Sequence, residues 1–329
     1  MPYINLINRI LKPKITEKAV VLDLFAGCGG LSLGFETAGF KTIGFEMNPD
    51  ASNTYSKNLV GKCFTERLDL DFKYPKADII IGGPPCQPFS VGGNQKGIED
   101  VRNGFPIFID AVRKVKPKVF MFENVRGLLY SNKWYFEIIL EELKDLGYQI
   151  EFKLLNAVHF GVPQNRERLV VVGHNSKFSF PEPNSKKVTV GEAIHDMMYE
   201  APENSKFLTA SQDKYIGNYE RASKCINPRD LYADRPARTL TCRNLSAATG
   251  DMQRVKLPDG RRRRLLIREA ARLQSFPDKF EFVGNETSQY YQLGNAVPPL
   301  FAYKLALAIK ECYSKRRTPN KQLSLVLNN

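Results

Sequence analysis

The apolar positions in the first half of the chain come in short runs of branched residues separated by turn signals. Residues 20–25 (VVLDLF) read as a buried strand, followed by the glycine-rich AGCGG. Leu31, Leu33, Phe35 and Ala38 then continue into a helix closed by Gly39. Residues 42–45 predict a second strand, 50–58 a helix, and 78–81 (DIII) a strand running straight into GGPPCQPFS. Residues 108–115 predict a helix, 118–122 a strand, 134–146 a helix, and 149–155 and 169–173 two further strands. This alternation predicts parallel βαβ units with helices on both faces of a sheet. The pattern breaks near Lys177, where Pro181, Pro183, Asn184 and Ser185 mark a loop. From there to about Leu266 the periodicity is weak. Helical spacing returns at 267–274 and 302–313, and a polar tail follows Ser314. The expected fold class is therefore α/β: a doubly wound, mostly parallel sheet with a smaller, irregular, β-rich second domain. Residues 1–178 and 294–329 form the larger domain on this reading, and 179–293 the smaller one with its hinge.

Composition narrows the function. Of 329 residues, 43% are hydrophobic and 25% charged, which is globular composition and argues against long disorder. No run approaches the ~18–20 apolar residues of a membrane span, and residues 1–18 lack a secretory pattern. The six cysteines form no CxxC pair, which argues against a zinc knuckle or a disulfide framework and predicts a reduced, cytoplasmic setting. The net charge of +13 points to a polyanion partner. Eight basic residues crowd between Asp251 and Arg272, against three acids, and predict a nucleic-acid-binding patch. One or two of the four arginines at 261–264 should then reach phosphates. The alternative is a hairpin tip at Pro258-Asp259-Gly260 whose arginines extend into water.

Candidate chemistry sits where strands end. The turn Phe25-Ala26-Gly27-Cys28-Gly29-Gly30 lets backbone approach a ligand, and Glu46 ends the next strand where a ribose-binding carboxylate belongs. Asp69 follows a third possible strand, with Asp71 as its competitor. The absence of a phosphate-cradling lysine favours a nucleoside over ATP, and a purely structural turn is the alternative. In Gly83-Pro84-Pro85-Cys86, two prolines stiffen the backbone before a cysteine at a strand's carboxyl edge, so Cys86 is either a nucleophile or a buried structural thiol. Glu123, after 118–122, faces the same edge, and a carboxylic acid beside a thiol suits chemistry on a nitrogen heterocycle. Arg166 and Arg168 precede another strand. His159, His174 and His195 stand isolated and read as structural or surface residues.

Together FAGCGG, GGPPCQPFS, ENV, QNRERL, REAARLQSFPDKF and QLGNAVPP, in this order, resemble the cytosine-5 DNA methyltransferases of bacterial restriction–modification systems, from about Val20 to Tyr313. The resemblance implies S-adenosyl-L-methionine as cofactor and duplex DNA as substrate. It makes Cys86 the nucleophile on carbon 6 of a flipped cytosine, with Glu123 on ring nitrogen 3 and the amino group. Arg166 and Arg168 would orient the base and the catalytic loop. Phe25, Gly27, Gly29, Glu46, Asp69, Pro85 and Asn295 would surround the cofactor, with Phe25 on adenine, Glu46 on ribose and Asp69 on the adenine amino group. Residues 169–267 would hold target recognition. Gln87, Ser90, Thr239 and Arg243 would touch DNA, with Arg238 a further base reader. No metal is implied. A monomer is expected, with a restriction endonuclease acting on the same site and no stable complex between them. A tRNA-acting relative and an inactive DNA-binding regulator are the competing readings.

Overall fold

The computed structural model describes residues 1–85, 103–203, 205–222, 224, 229–246 and 251–314. Cys86, Gln87 and Ser90 lie outside them, as does the tail after Ser314.

Seven strands form one sheet in the order β3-β2-β1-β4-β5-β7-β6. They are β1 (Val20–Leu24), β2 (Lys41–Glu46), β3 (Lys62–Thr65), β4 (Ile79–Gly82), β5 (Val119–Val125), β6 (Gln149–Asn156) and β7 (Glu167–His174). The two-residue period of a strand splits its apolar run between two faces. Val21, Ile79, Ile81, Val119 and Met121 join one core, with Phe35 of α2 (Gly30–Thr37) and Leu305 of α12 (Pro299–Ser314). Leu22, Leu24, Ile80, Phe120 and Phe122 join the other, with Phe108 of α4 (Phe105–Val115) and Phe136 of α6 (Lys133–Asp145). Burial on both faces explains why these strands read as continuous apolar runs.

Strands β1 to β5 pair in parallel, as the alternation predicts. The sheet is mostly parallel, as expected, and the exception is β7, which runs antiparallel to both β5 and β6. The connection 157–166 contains only the short 3-10 turn Ala157–Phe160, too little for the crossover that a parallel neighbour needs. The chain also opens with an unforeseen helix, α1 (Tyr3–Ile10), which seats Ile7 in the core.

The second segment departs from the irregular strands expected of it. It contributes α7 (Val190–Met198), α8 (Ala210–Ala222) and α9 (Cys242–Ser246), and a single hairpin of β8 (Arg254–Lys256) with β9 (Arg262–Arg264). Thr189 and Glu192 close a reciprocal capping box at the start of α7. The segment shares its core with the large domain, since Val190, Ile194, Leu231 and Leu257 join the cluster containing Val21 and Phe301. Beyond it, α10 (Ile267–Leu273) and α11 (Glu286–Asn295) lead back to α12. The described helices include none long and apolar enough to cross a membrane.

The basic run is partly internal: Arg254, Arg263 and Arg272 are buried, whereas Lys256 and Arg261 are exposed. Arg254 is fully buried, with Nε on Asp230 at 2.7 Å and Nη2 on Glu220 at 2.8 Å. Arg262 bonds Asp230 at 3.0 Å and Asp213 at 3.1 Å. Arg263 forks onto both oxygens of Glu269 at 2.7 and 2.8 Å, and also caps carbonyls of Met197, Met198 and Glu200. Arg272 pairs with Asp196 and Asp278, and Arg268 reaches two carbonyls. Arg261, beside the turn at 258–260, pairs with Asp259 and lies over the Phe207 ring. Acids both near and far in sequence pair with five of these arginines, so part of the density of arginine is a packing device.

Removing one partner of a buried pair strands the other charge. Arg263→Ala is therefore expected to cost about 3–5 kcal/mol in urea unfolding, whereas Arg261→Ala should shift the midpoint little. Equal shifts for the two variants would contradict the placement of Arg263.

Candidate active site

The carboxyl ends of β1, β2, β4 and β5 share one rim of the sheet, where open α/β folds place ligands. At the end of β1 the chain turns through three left-handed residues, Phe25 (φ 60°), Gly27 (φ 55°) and Gly29 (φ 86°). Phe25 is not a glycine, and such strain gathers at functional turns. A Cβ placed at Gly27 would meet nothing within 4 Å, so open space lies over the turn. The Gly27 amide donates to Glu46 Oε2 at 2.9 Å, and the Asn48 amide to Oε1 at 2.8 Å. Two backbone donors thus fix the Glu46 carboxylate beside the turn. Asp69 lies beyond β3, with Oδ1 accepting from the Asp71 amide at 3.0 Å.

Beneath the turn, Asp23 of β1 is buried. Ser32 donates to its Oδ2 at 2.7 Å, while Oδ1 has no hydrogen-bond partner among the described residues. The Tyr55 hydroxyl lies 2.7 Å from Thr42 Oγ1 and 3.0 Å from Ser32 Oγ, and Thr42 donates to Glu36, so a buried polar chain underlies the glycines. Burial pushes the Asp23 carboxyl up to about 7, against the lowering effect of Ser32.

On β4 the chain leaves Gly82 through Gly83-Pro84-Pro85, after which Cys86 lies outside the described residues. Gly82 pairs with Phe122, which sets Glu123 opposite this stretch. A side chain at Gly83 would come within 3.3 Å of Glu123 Oε1. Arg168 Nε lies 3.3 Å from Glu123 Oε2, and both side chains are nearly enclosed. Burial pushes the Arg168 guanidinium down, and Glu123 opposes that shift.

Asn124 was not singled out by its pattern, yet it is buried and donates to the Pro84 carbonyl at 2.9 Å. The Gly104 amide donates to the Pro85 carbonyl at 3.0 Å, and a Cβ at Gly104 would overlap the Pro85 ring at 2.5 Å. The chain on either side of 86–102 is thereby held together. The ENV motif carried the signal for Asn124, whereas the Gly104 contact is visible only in three dimensions.

Arg166 is enclosed among backbone carbonyls. Its guanidinium donates to Leu240 O at 2.7 Å, Gly294 O at 3.1 Å and Ala296 O at 2.9 Å, and the residue is 1% exposed. Burial and neighbouring Arg168 push its pKa down, so the carbonyl cage is what holds the charge. Gln164 extends the same joint, accepting from the Leu240 amide at 2.9 Å and donating to Leu273 O and Gln274 Oε1. Thr239 donates to Asn165 O at 2.6 Å, leaving its hydroxyl proton engaged. Asn295 is exposed, and its Oδ1 accepts from Cys242 Sγ at 3.0 Å. Arg243 is exposed and has no charged partner among the described residues. The structure thus gathers Phe25, Gly27, Gly29, Glu46, Pro85 and Glu123 along the rim, with Arg168 on Glu123. Arg166, Thr239 and Asn295 fall in the adjoining seam between segments.

A family model for C-5 cytosine-specific DNA methylases matches residues 19–311. The chain belongs to this family. The methyltransferase is 56% identical to the type II methyltransferase M.AplI of Arthrospira platensis over 91% of its own length and 88% of that protein's. It is 36% identical to M1.HphI of Haemophilus parahaemolyticus, over 88% and 86% of the two chains. Among solved structures, S. pombe Dnmt2 methyltransferase superposes with a TM-score of 0.68 at 17% identity, over 89% and 98% of the chains. The Entamoeba histolytica methyltransferase EhMeth gives 0.68 at 18%, over 90% and 99%. These two likenesses concern the fold. The enzyme is a DNA (cytosine-5-)-methyltransferase of the type II restriction–modification kind, and its cofactor is S-adenosylmethionine.

The rim residues fit that cofactor. S-adenosylmethionine carries a ribose, a purine and two cationic centres. The site offers a fixed carboxylate at Glu46, open space over Gly27, and a buried Asp23 oxygen that lacks a donor.

Asp23 also makes a pH signature. Folded, its carboxyl stays protonated up to about pH 7, whereas in the unfolded chain it ionises in the ordinary carboxylate range. The folded state therefore holds more protons across that window, so stability from this group is present at low pH and lost as pH rises through about 7. Asp23→Asn is expected to flatten the decline in urea midpoint between about pH 4 and 7 in the cofactor-free protein. An identical decline in both proteins would contradict this assignment.

Proposed function

We propose that Cys86 is the nucleophile and Glu123 its acid partner in methylation of a cytosine extruded from duplex DNA. The observation that carries the reading is the enclosed Glu123 carboxylate, set against the Gly83-Pro84-Pro85 stretch that ends at Cys86. Burial pushes the thiols of Cys28 and Cys63 up to about 12 and that of Cys242 up to about 11, so these three do not compete as thiolates.

Cytosine carbon 5 is a poor nucleophile in the aromatic ring. Attack of the Cys86 thiolate on carbon 6, with Glu123 protonating or hydrogen-bonding ring nitrogen 3, turns it into an enamine carbon. Bound S-adenosylmethionine supplies the methyl group. Loss of the carbon-5 proton to a base then restores the ring and releases Cys86. The target atoms lie inside the duplex stack, which is why extrusion is required. In this reading Arg168 fixes the Glu123 carboxylate, and Arg166 acts as a positioning residue through the carbonyls it caps. Phe25, Gly27, Gly29, Glu46, Asp69, Pro85 and Asn295 surround the cofactor. Residues 179–293 read the DNA, with Arg243 offering the free guanidinium that suits guanine and Gln87, Ser90 and Thr239 as further contacts. A cytoplasmic monomer that protects sites cut by a separate endonuclease completes the reading.

Two outcomes test it. Duplex DNA with 5-fluorocytosine at the target should trap the wild-type enzyme in a denaturant-resistant complex, because fluorine cannot leave as a proton does. Cys86→Ser should form no such complex while still binding S-adenosylhomocysteine. Glu123→Gln should slow single-turnover methylation by about 10²–10⁴-fold with cofactor affinity kept. A fall under about fivefold would move Glu123 out of the chemistry.

A further inference from the structure

Asp69 lies on the stretch 66–78, which has no regular secondary structure. Little local bonding shapes it: the Asp71 amide on Asp69 Oδ1 at 3.0 Å, and the Phe72 amide on Asp69 O at 3.4 Å. The turn is held from outside by Lys114, near the end of α4. Its ammonium donates to Leu70 O and, at 3.3 Å, to Phe72 O. It also pairs with Asp110, one turn earlier on the same helix, at 2.8 Å. The Phe72 ring packs edge-on against Phe45 at 5.1 Å, so the turn is anchored on both sides of Asp71.

We propose that Lys114 is a positioning residue for purine recognition: by capping Leu70 O and Phe72 O it sets the turn that presents Asp69 to the adenine amino group. The proposal rests on the reading of Asp69 given above. Asp69 Oδ1 is taken by the Asp71 amide, and Oδ2 accepts no hydrogen bond among the described residues. Two carbonyls that converge on one point repel unless a cation lies there, and both of these accept from the Lys114 ammonium. Without the ammonium the turn opens and the carboxylate leaves its place. The effect therefore falls on ligands carrying an exocyclic amino group and spares those lacking it.

The test is calorimetric titration of S-adenosylhomocysteine and of its inosine counterpart, which bears a carbonyl oxygen where adenine has its amino group. Wild type should prefer the adenosine ligand. Lys114→Met should weaken that ligand about 3- to 10-fold, the value of one such hydrogen bond, and leave the inosine ligand within about twofold. Lys114→Arg, which keeps two donors, should restore the preference. Combined with Asp69→Ala, Lys114→Met should add nothing further. Equal loss on both ligands, or additive losses in the double variant, would reduce Lys114 to a support of the fold. If Asp69→Ala itself leaves the preference intact, the reading of Asp69 falls first and takes this proposal with it.

Discussion

Three backbone carbonyls converge on the Arg166 guanidinium, and the active rim depends on that convergence. Leu240 belongs to the second segment, while Gly294 and Ala296 close α11. Arg166 itself immediately precedes β7, the strand that pairs with Glu123's strand. A single buried cation thus joins the strand beside the Glu123 carboxylate, the second segment, and the stretch that packs on the glycine turn. The arrangement is stable only complete, since a guanidinium without acceptors in this interior would carry the full cost of desolvation. Gln164 repeats the logic with a neutral side chain.

From that joint the rest of the site follows by register. Parallel pairing aligns the ends of β1, β2, β4 and β5, so a turn, a fixed carboxylate, a proline pair and an acid arrive on one edge. Asn124 and Gly104 then hold the backbone on either side of 86–102. Glu123 and Asn124 are consecutive on β5, with the acid facing Arg168 and the amide holding Pro84. The joint and the chemistry therefore share one strand pair.

The rim was legible in the sequence because its signals are local. Val20–Leu24, the glycines after it, Glu46 and the Pro84-Pro85 pair each announce themselves within a few residues. What escaped was long-range. The acids that neutralise Arg254, Arg262 and Arg272 lie up to 76 residues away, so a run of arginines looked like a DNA-facing patch. The carbonyl partners of Arg166 stand 74 to 130 residues further on, so its cage is not visible locally. The reversal of β7 was written in the missing crossover helix between β6 and β7, a weaker sign than the apolar run itself. Helix α8 buries only Ile216 and carries too little periodicity to be told from a loop.

The central proposal is that Arg166 acts by joining segments, through the three carbonyls it caps, rather than at the base or the cofactor. Hydrogen–deuterium exchange on the free protein tests it directly, comparing wild type with Arg166→Lys. A lysine keeps the charge but cannot span three carbonyls. Faster exchange is expected in 237–246 and 294–298 together, with the strands β1 and β4 unchanged. Exchange identical to wild type in both stretches, in a variant that no longer methylates DNA, would show that Arg166 works at the reacting base and that the joint is held by something else.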